Sequence, residues 1–139
     1  MKLSDYIARN TEPGDRVWQE QSARLLLESN RQPGSRCGLT FYFVNYDEAP
    51  YDYLNIILKD FQERKPKYIV LEKELDKSIQ QTCDAVPCLY RNPVRLERYV
   101  DAWGKLQAYI TRNYRAEIEI EGQVLWRRID PLQAFATPD

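Results

Sequence analysis

The sequence predicts a single α/β domain in which parallel strands, joined by crossover helices, are followed by an antiparallel C-terminal hairpin. Short runs of β-branched and aromatic residues alternate with amphipathic segments of helical spacing as far as Asn113. Clusters of Pro, Gly and polar residues separate these runs, and such clusters form turns. Strands that alternate with helices imply right-handed crossovers and a parallel sheet.

Helices and strands are distinguished by the spacing of apolar residues. The clearest helical stripe has apolar residues at i, i+3, i+4 and i+7: Leu54, Ile57, Leu58 and Phe61. Charged residues, among them Asp60, are expected on the solvated side of that helix. Short apolar runs such as GLTFYFV match buried strands. In chain order we expect a helix at 3–10, a strand at 16–20, a helix at 21–30, a strand at 38–44, a helix around 54–61, a strand at 68–72 and a helix at 96–113.

The C-terminal part has a different pattern. Residues 116–121 alternate strictly between glutamates on one face and residues such as Ile118 and Ile120 on the other. Gly122 and Gln123 are expected to form the turn before a returning strand at 124–129. Such a hairpin has one wet face, across which glutamates and arginines can pair.

These elements together predict a three-layer, Rossmann-like open sheet with the antiparallel hairpin at one edge. Residues 1–130 fit one domain, which is a usual length for a single core. Residues 131–139 are expected to form a flexible tail.

The composition excludes several classes of function. The chain has 139 residues, no histidine and a net charge of -1, so histidine-based catalysis and histidine zinc sites are absent. No basic stripe suggests a nucleic-acid partner, and no glycine-rich nucleotide motif occurs. No apolar run reaches the roughly 18 residues of a membrane span. We therefore expect no cofactor, no bound metal and no nucleic acid.

Candidate binding residues follow the predicted strands, because open parallel sheets bind ligands at the carboxyl ends of their strands. These residues are Glu20, Asn45, Tyr46, Asp47 and Glu72. Carboxylates that converge there would suit a divalent cation or acid–base chemistry. The alternative interpretation is that they are ordinary loop residues near helix N-termini.

Two further features are candidates. Arg31, beside the Pro33-Gly34 turn, would suit a two-pronged contact with a phosphate or carboxylate, or would simply be solvated. Cys83 and Cys88 lie in an irregular segment from residue 73 to about 94. They are two unrelated thiols, or a small disulfide if the domain faces an oxidising compartment.

Several short phrases in a fixed order resemble a known family. They are Asp5–Thr11, Pro13–Trp18, Leu26–Arg36, Pro66–Leu71 and Ile120–Arg128. Their order resembles the C-terminal soluble domain of bacterial GT-C superfamily glycosyltransferases, integral-membrane enzymes related to protein mannosyltransferases and aminoarabinose transferases. The segment with the two cysteines is not part of that pattern.

The resemblance implies a non-catalytic domain on the extracytoplasmic face of the membrane, attached to the membrane region of a parent enzyme. In this family the catalytic aspartate lies in the membrane region, so no catalytic residue is transferred to this chain. The domain would help to position an acceptor or a polyprenyl-phosphate-linked sugar. That location would also make a Cys83–Cys88 disulfide plausible.

Two other interpretations stay open. The chain would be cytoplasmic if it is a complete protein, and it would then serve as a free-standing protein-interaction module on the same scaffold. A small carboxylate- or metal-dependent enzyme is the third interpretation, with Glu20, Asp47 and Glu72 as its reactive groups.

Overall fold

The structure, a computed structural model, describes residues 1–19, 24–35, 49–73 and 93–129. The helices there are α1 (Leu3–Asn10), α2 (Arg24–Ser29), α3 (Ala49–Arg64) and α4 (Pro93–Asn113). The strands are β1 (Arg16–Gln19), β2 (Gln32–Pro33), β3 (Tyr68–Glu72), β4 (Tyr114–Ile120) and β5 (Gln123–Arg128). The expected strand at 38–44, most of the irregular segment after Glu72 and the C-terminal tail lie outside the described residues.

The five described strands form one mixed sheet in the order β2-β1-β3-β5-β4. Strands β2, β1 and β3 are parallel, with Val17 opposite Tyr68. Strand β5 runs antiparallel to both β3 and β4. The predicted α/β class and the antiparallel hairpin at one edge are therefore confirmed.

Alternating side chains of the central strands build two separate hydrophobic cores. The tryptophan core consists of Trp18, Leu54, Ile57, Phe61, Ile69, Leu71, Ala102, Trp103, Leu106, Ile110 and Tyr114. The α1 core consists of Leu3, Ile7, Val17, Leu25, Tyr68, Val70 and Leu125. Neighbours in a strand point to opposite faces, so α3 and α4 supply the first core and α1 and α2 the second.

One aromatic contact joins the sheet to α3. The rings of Trp18 and Phe61 meet edge to face, with centroids 5.4 Å apart and planes at 78°. This arrangement places the positive edge of one ring on the negative face of the other. It fixes α3 across β1, which orients the C-terminal end of α3 toward the start of β3.

Strand β2 was not predicted, because Pro33 and Gly34 indicated only a turn. In the structure the N–H of Gly34 donates to the carbonyl of Val17 at 2.9 Å. A Cβ at Gly34 would lie 2.8 Å from Cβ of Pro66, so only glycine allows this approach.

Two other local predictions are wrong. The hairpin turn is formed by Glu121 and Gly122, with φ values of 54° and 79°, because Gln123 already pairs with Ile120. Two positive φ angles match the two-residue turn that the twist of a hairpin favours. Asp60 is buried rather than solvated and accepts a hydrogen bond from Ser35 at 3.0 Å, since the residues that follow β2 approach that side of α3.

Candidate functional site

Of the sequence-predicted site residues, the structure describes Arg31 and Glu72. Glu72 ends β3, where it lies opposite Gln123. Arg31 directly precedes β2, which runs parallel to β1. The two residues therefore lie at opposite ends of the parallel strands and do not form one site. The remaining candidates lie outside the described residues: Glu20, Asn45, Tyr46, Asp47, Cys83 and Cys88.

Arg31 joins the end of α1 to the end of α2. Its Nε donates to the hydroxyl of Thr11 at 2.7 Å. Its two terminal nitrogens donate to four carbonyl oxygens, those of Ala8, Thr11, Ser29 and Asn30. A guanidinium has five N–H donors, so these contacts use all of them, and an incoming anion would have to compete with them.

A carboxylate that sequence analysis missed lies between α1 and the sheet. Oε2 of Glu117 accepts hydrogen bonds from the hydroxyls of Tyr6 and Tyr68, both at 2.8 Å. Its Oε1 accepts from Arg127 at 3.3 Å. The predicted pairing of glutamate and arginine across the hairpin is thus confirmed, and both residues are solvent-exposed.

The position of Glu117 follows from an irregularity in β4. The register shifts between Ala116 and Ile118, and a bulge of this kind re-aims the side chain of the extra residue. Glu117 therefore faces Tyr68 of the α1 core, whereas the strict alternation predicted that it would share the solvated face with Glu119. Only the alternation was visible in the sequence, and it contains no signal for the bulge.

Hydrogen bonding sets the protonation of this cluster. Partial burial alone would raise the pKa of Glu117, but the hydrogen bonds from Tyr68, Tyr6 and Arg127 outweigh it and hold the pKa below its usual value. Burial and the neighbouring carboxylate raise the pKa of both Tyr6 and Tyr68. The cluster at neutral pH is therefore an ionised carboxylate held by two neutral phenols and one arginine.

An open groove of about 610 Å³ lies at the amino ends of β1 and β3. We call it the basic groove. It is lined by Asp15, Phe61, Gln62, Lys65, Lys67, Tyr109, Asn113, Tyr114, Arg127, Arg128 and Ile129. A smaller cleft shares its Arg127–Ile129 wall and adds Arg115, Ala116 and Glu117.

Backbone contacts hold the walls of the basic groove together. Arg128 donates from its guanidinium to the carbonyl of Lys65 at 2.7 Å and from its backbone to the carbonyl of Lys67 at 2.9 Å. The hydroxyl of Tyr114 donates to the carbonyl of Pro66 at 2.7 Å. Lys65, at φ 48°, ends α3 in the left-handed conformation common at helix ends. The segment that carries the two lysines is therefore fixed.

The basic groove and its adjoining cleft are positively charged. Their described walls carry five cations, Lys65, Lys67, Arg115, Arg127 and Arg128, against two carboxylates, Asp15 and Glu117. Five minus two leaves a local charge of +3 in a chain whose net charge is -1. The C-terminal ends of α3 and α4 offset about one unit of it, which leaves the region positive. No basic stripe is visible in the sequence because strand pairing, not sequence proximity, gathers these residues.

Within the described ranges, no group of three or more acidic or cysteine side chains is arranged to hold a metal ion. No helix in those ranges combines the length and the apolar character that a membrane span needs. No family model, no curated protein and no solved structure matches the chain.

Proposed function

We propose that this chain is a non-catalytic domain of a membrane glycosyltransferase, and that its basic groove holds the phosphate of a polyprenyl-phosphate-linked sugar. The observation that carries the proposal is the concentration of five cations around the groove in a chain of nearly neutral charge. Lysine and arginine side chains are the usual partners of phosphate oxygens.

The geometry of the groove favours a phosphate carried on a larger molecule. The groove is open along one side, and the partly exposed ring of Tyr109, which packs on the buried Phe61, adds apolar surface beside the lysines. A phosphate attached to a long chain needs such an open site, since the rest of the molecule must leave it. The fixed Lys65–Lys67 segment reduces the ordering that binding would require.

The resemblance supplies the biological setting of the proposal. A three-layer, Rossmann-like domain on the extracytoplasmic face, attached to the membrane region of the parent enzyme, would meet the donor lipid at the membrane surface. The helices that the structure describes pack two on each face of the sheet, which supports the proposed three layers. In this setting the parent is a mannosyltransferase-like enzyme, and the domain positions the donor without taking part in bond cleavage.

Vesicle binding tests the proposal. The chain is mixed with neutral phosphatidylcholine vesicles that contain a polyprenyl phosphate, and with matched vesicles that contain the uncharged polyprenol. We expect binding to the phosphate vesicles alone, weakening as salt screens the charges. The double substitution Lys65→Gln and Lys67→Gln should weaken binding by at least about tenfold.

A matched control separates the groove from general charge. Lys59→Gln with Lys105→Gln removes the same two charges from exposed sites on α3 and α4. Neither lysine lines the groove, so this variant should bind as the unmodified chain does. Equal binding to polyprenol vesicles, or equal losses in the two double variants, would refute the proposal.

A further inference from the structure

A second pocket lies at the other end of the strands, between the start of α1, the described start of α2 and the hairpin turn. Its volume is about 230 Å³, and Ser4, Gln19, Glu28 and Gln123 line it. The carboxyl ends of parallel strands are the usual place for ligands in open sheets. We call it the Gln19 pocket.

Gln19 is the unusual residue of this pocket. It is the last residue of β1 and only 8% exposed. Alternation along β1 turns its side chain to the same face as Val17, toward the two helices that border the pocket. Its buried Oε1 accepts no hydrogen bond from any part of the chain that the structure describes. A buried acceptor without a donor is destabilising, and a donor group on a ligand would satisfy it.

The start of α1 complements this acceptor with donors. Lys2, its N-cap residue, makes no side-chain capping bond, and the first backbone N–H groups of a helix have no partner within the helix. The pocket wall thus offers N–H donors from α1 beside the Gln19 acceptor. A hydroxyl group, which both donates and accepts, satisfies both.

The remaining walls favour a neutral, polar ligand. Lys2 and Arg24 contribute two positive charges, and Glu28 and Glu121 contribute two negative ones. Glu28 also accepts from Arg24 at 2.7 Å, which leaves little net field to hold an anion. The volume is below the roughly 300–1,000 Å³ of sites for drug-sized ligands, so the pocket suits about one ring.

We infer that the Gln19 pocket binds a neutral polyhydroxylated ligand of the size of one sugar ring, with Oε1 of Gln19 accepting a hydrogen bond from a ligand hydroxyl. The N–H groups at the start of α1 donate to the same or a neighbouring hydroxyl, and Glu28 accepts from another. This inference stands apart from the proposed function, because the pocket and the basic groove lie at opposite ends of the strands.

An NMR titration with neutral methyl glycosides of glucose, mannose and galactose tests the inference. At least one glycoside should move the amide signals of Ser4, Gln19 and Gln123 in a saturable manner, whereas inorganic phosphate should not. Gln19→Leu should weaken this binding by at least about tenfold, with an unfolding midpoint equal to or above that of the unmodified chain. A purely structural glutamine would instead lower the midpoint.

Two variants keep the test decisive if Gln19→Leu does not fold. Glu28→Gln, at a half-exposed position on α2, should also weaken glycoside binding. Gln107→Leu makes the same kind of change on α4, outside the pocket, and should bind normally. The inference is overturned if none of the three glycosides moves the pocket signals, or if the Gln19 and Glu28 variants bind as tightly as the Gln107 variant.

Discussion

At the scale of single residues, the unexpected feature is an ionised carboxylate placed among phenols. Glu117 accepts from Tyr6 of α1 and from Tyr68 of β3, and it also contacts Arg127 of β5. One side chain thereby ties three elements together. Hydrogen bonds to a charged group are stronger than neutral ones, so this carboxylate should matter more for stability than an exposed glutamate.

Replacing Glu117 with Gln should therefore destabilise the protein in a pH-dependent manner. The pKa of Glu117 is lower in the folded protein than its ordinary value of 4.5, so the unfolded chain takes up this proton first as the pH falls. The stabilisation is complete above that ordinary value and is lost as the pH drops through the folded pKa. Because Glu117 is partly screened by solvent, urea unfolding should show a loss of about 0.5–1.5 kcal/mol at neutral pH, which shrinks in acid.

Glu119→Gln is the matched control for this prediction. Glu119 pairs only with Lys73 among the contacts described, at 3.3 Å and on the surface. Exposed ion pairs contribute about 0–1 kcal/mol, so this variant should lose little stability at any pH. If Glu117→Gln destabilised the protein equally in acid and at neutral pH, the shape of the side chain and not its charge would explain the effect.

At the scale of elements, the sequence predicted the helices and strands whose apolar residues follow a regular local spacing. The apolar stripe of α3 and the run Tyr68–Leu71 of β3 follow directly from periodicity, and both are present. Strand β2 depends instead on a distant contact, the approach of Gly34 to Pro66. Asp60 was placed on the wrong side for a similar reason, because nothing in the helical pattern reveals that Ser35, just after β2, contacts it.

The sites were harder to predict than the elements. The strand-end rule pointed to the end of the sheet at which the Gln19 pocket lies, and it selected Glu20 rather than Gln19. The buried, unpaired state of Gln19 is a property of tertiary packing, so its residue type gives no signal. The basic groove was missed because Lys65 and Arg128 are far apart in sequence and meet only through the pairing of β3 with β5.

Substitution of Gly34 tests the packing of β2 directly. A Cβ at this position would lie 2.8 Å and 2.9 Å from two carbons of Pro66, and 3.2 Å from Cβ of Trp18. Neither neighbour is the flexible end of a long side chain, so Gly34→Ala should cost about 1–3 kcal/mol through overpacking. Chemical denaturation measures this loss.

Gly14→Ala makes the same change where a Cβ meets nothing within 4 Å. Its stability should stay within about 0.5 kcal/mol of the unmodified chain. Equal behaviour of the two alanine variants would mean that β2 does not pack against Pro66 as described.

At the scale of the whole molecule, the two cores share the same central strand. Ile69 and Leu71 of β3 belong to the tryptophan core, and Tyr68 and Val70 belong to the α1 core. If β3 detached from one core, the residues that it contributes to the other core would therefore also be exposed. Both faces of the sheet should unfold in a single transition, as small domains usually do.

The distribution of tryptophan makes this cooperativity measurable. The chain has three tryptophans; two lie in the tryptophan core and Trp126 packs against it, so fluorescence reports on that face alone.

Ile7→Ala removes buried side-chain volume from the α1 core, on the opposite face, and should destabilise the protein by about 2–5 kcal/mol. If the domain unfolds as one unit, the urea midpoint from tryptophan fluorescence will fall by the same amount as the midpoint from far-UV circular dichroism. Leu106→Ala in the tryptophan core provides the reference for a direct effect on fluorescence. A dichroism midpoint that falls while the fluorescence midpoint stays fixed would show instead that α1 and its core detach separately, since only the face that carries the substitution would then unfold early.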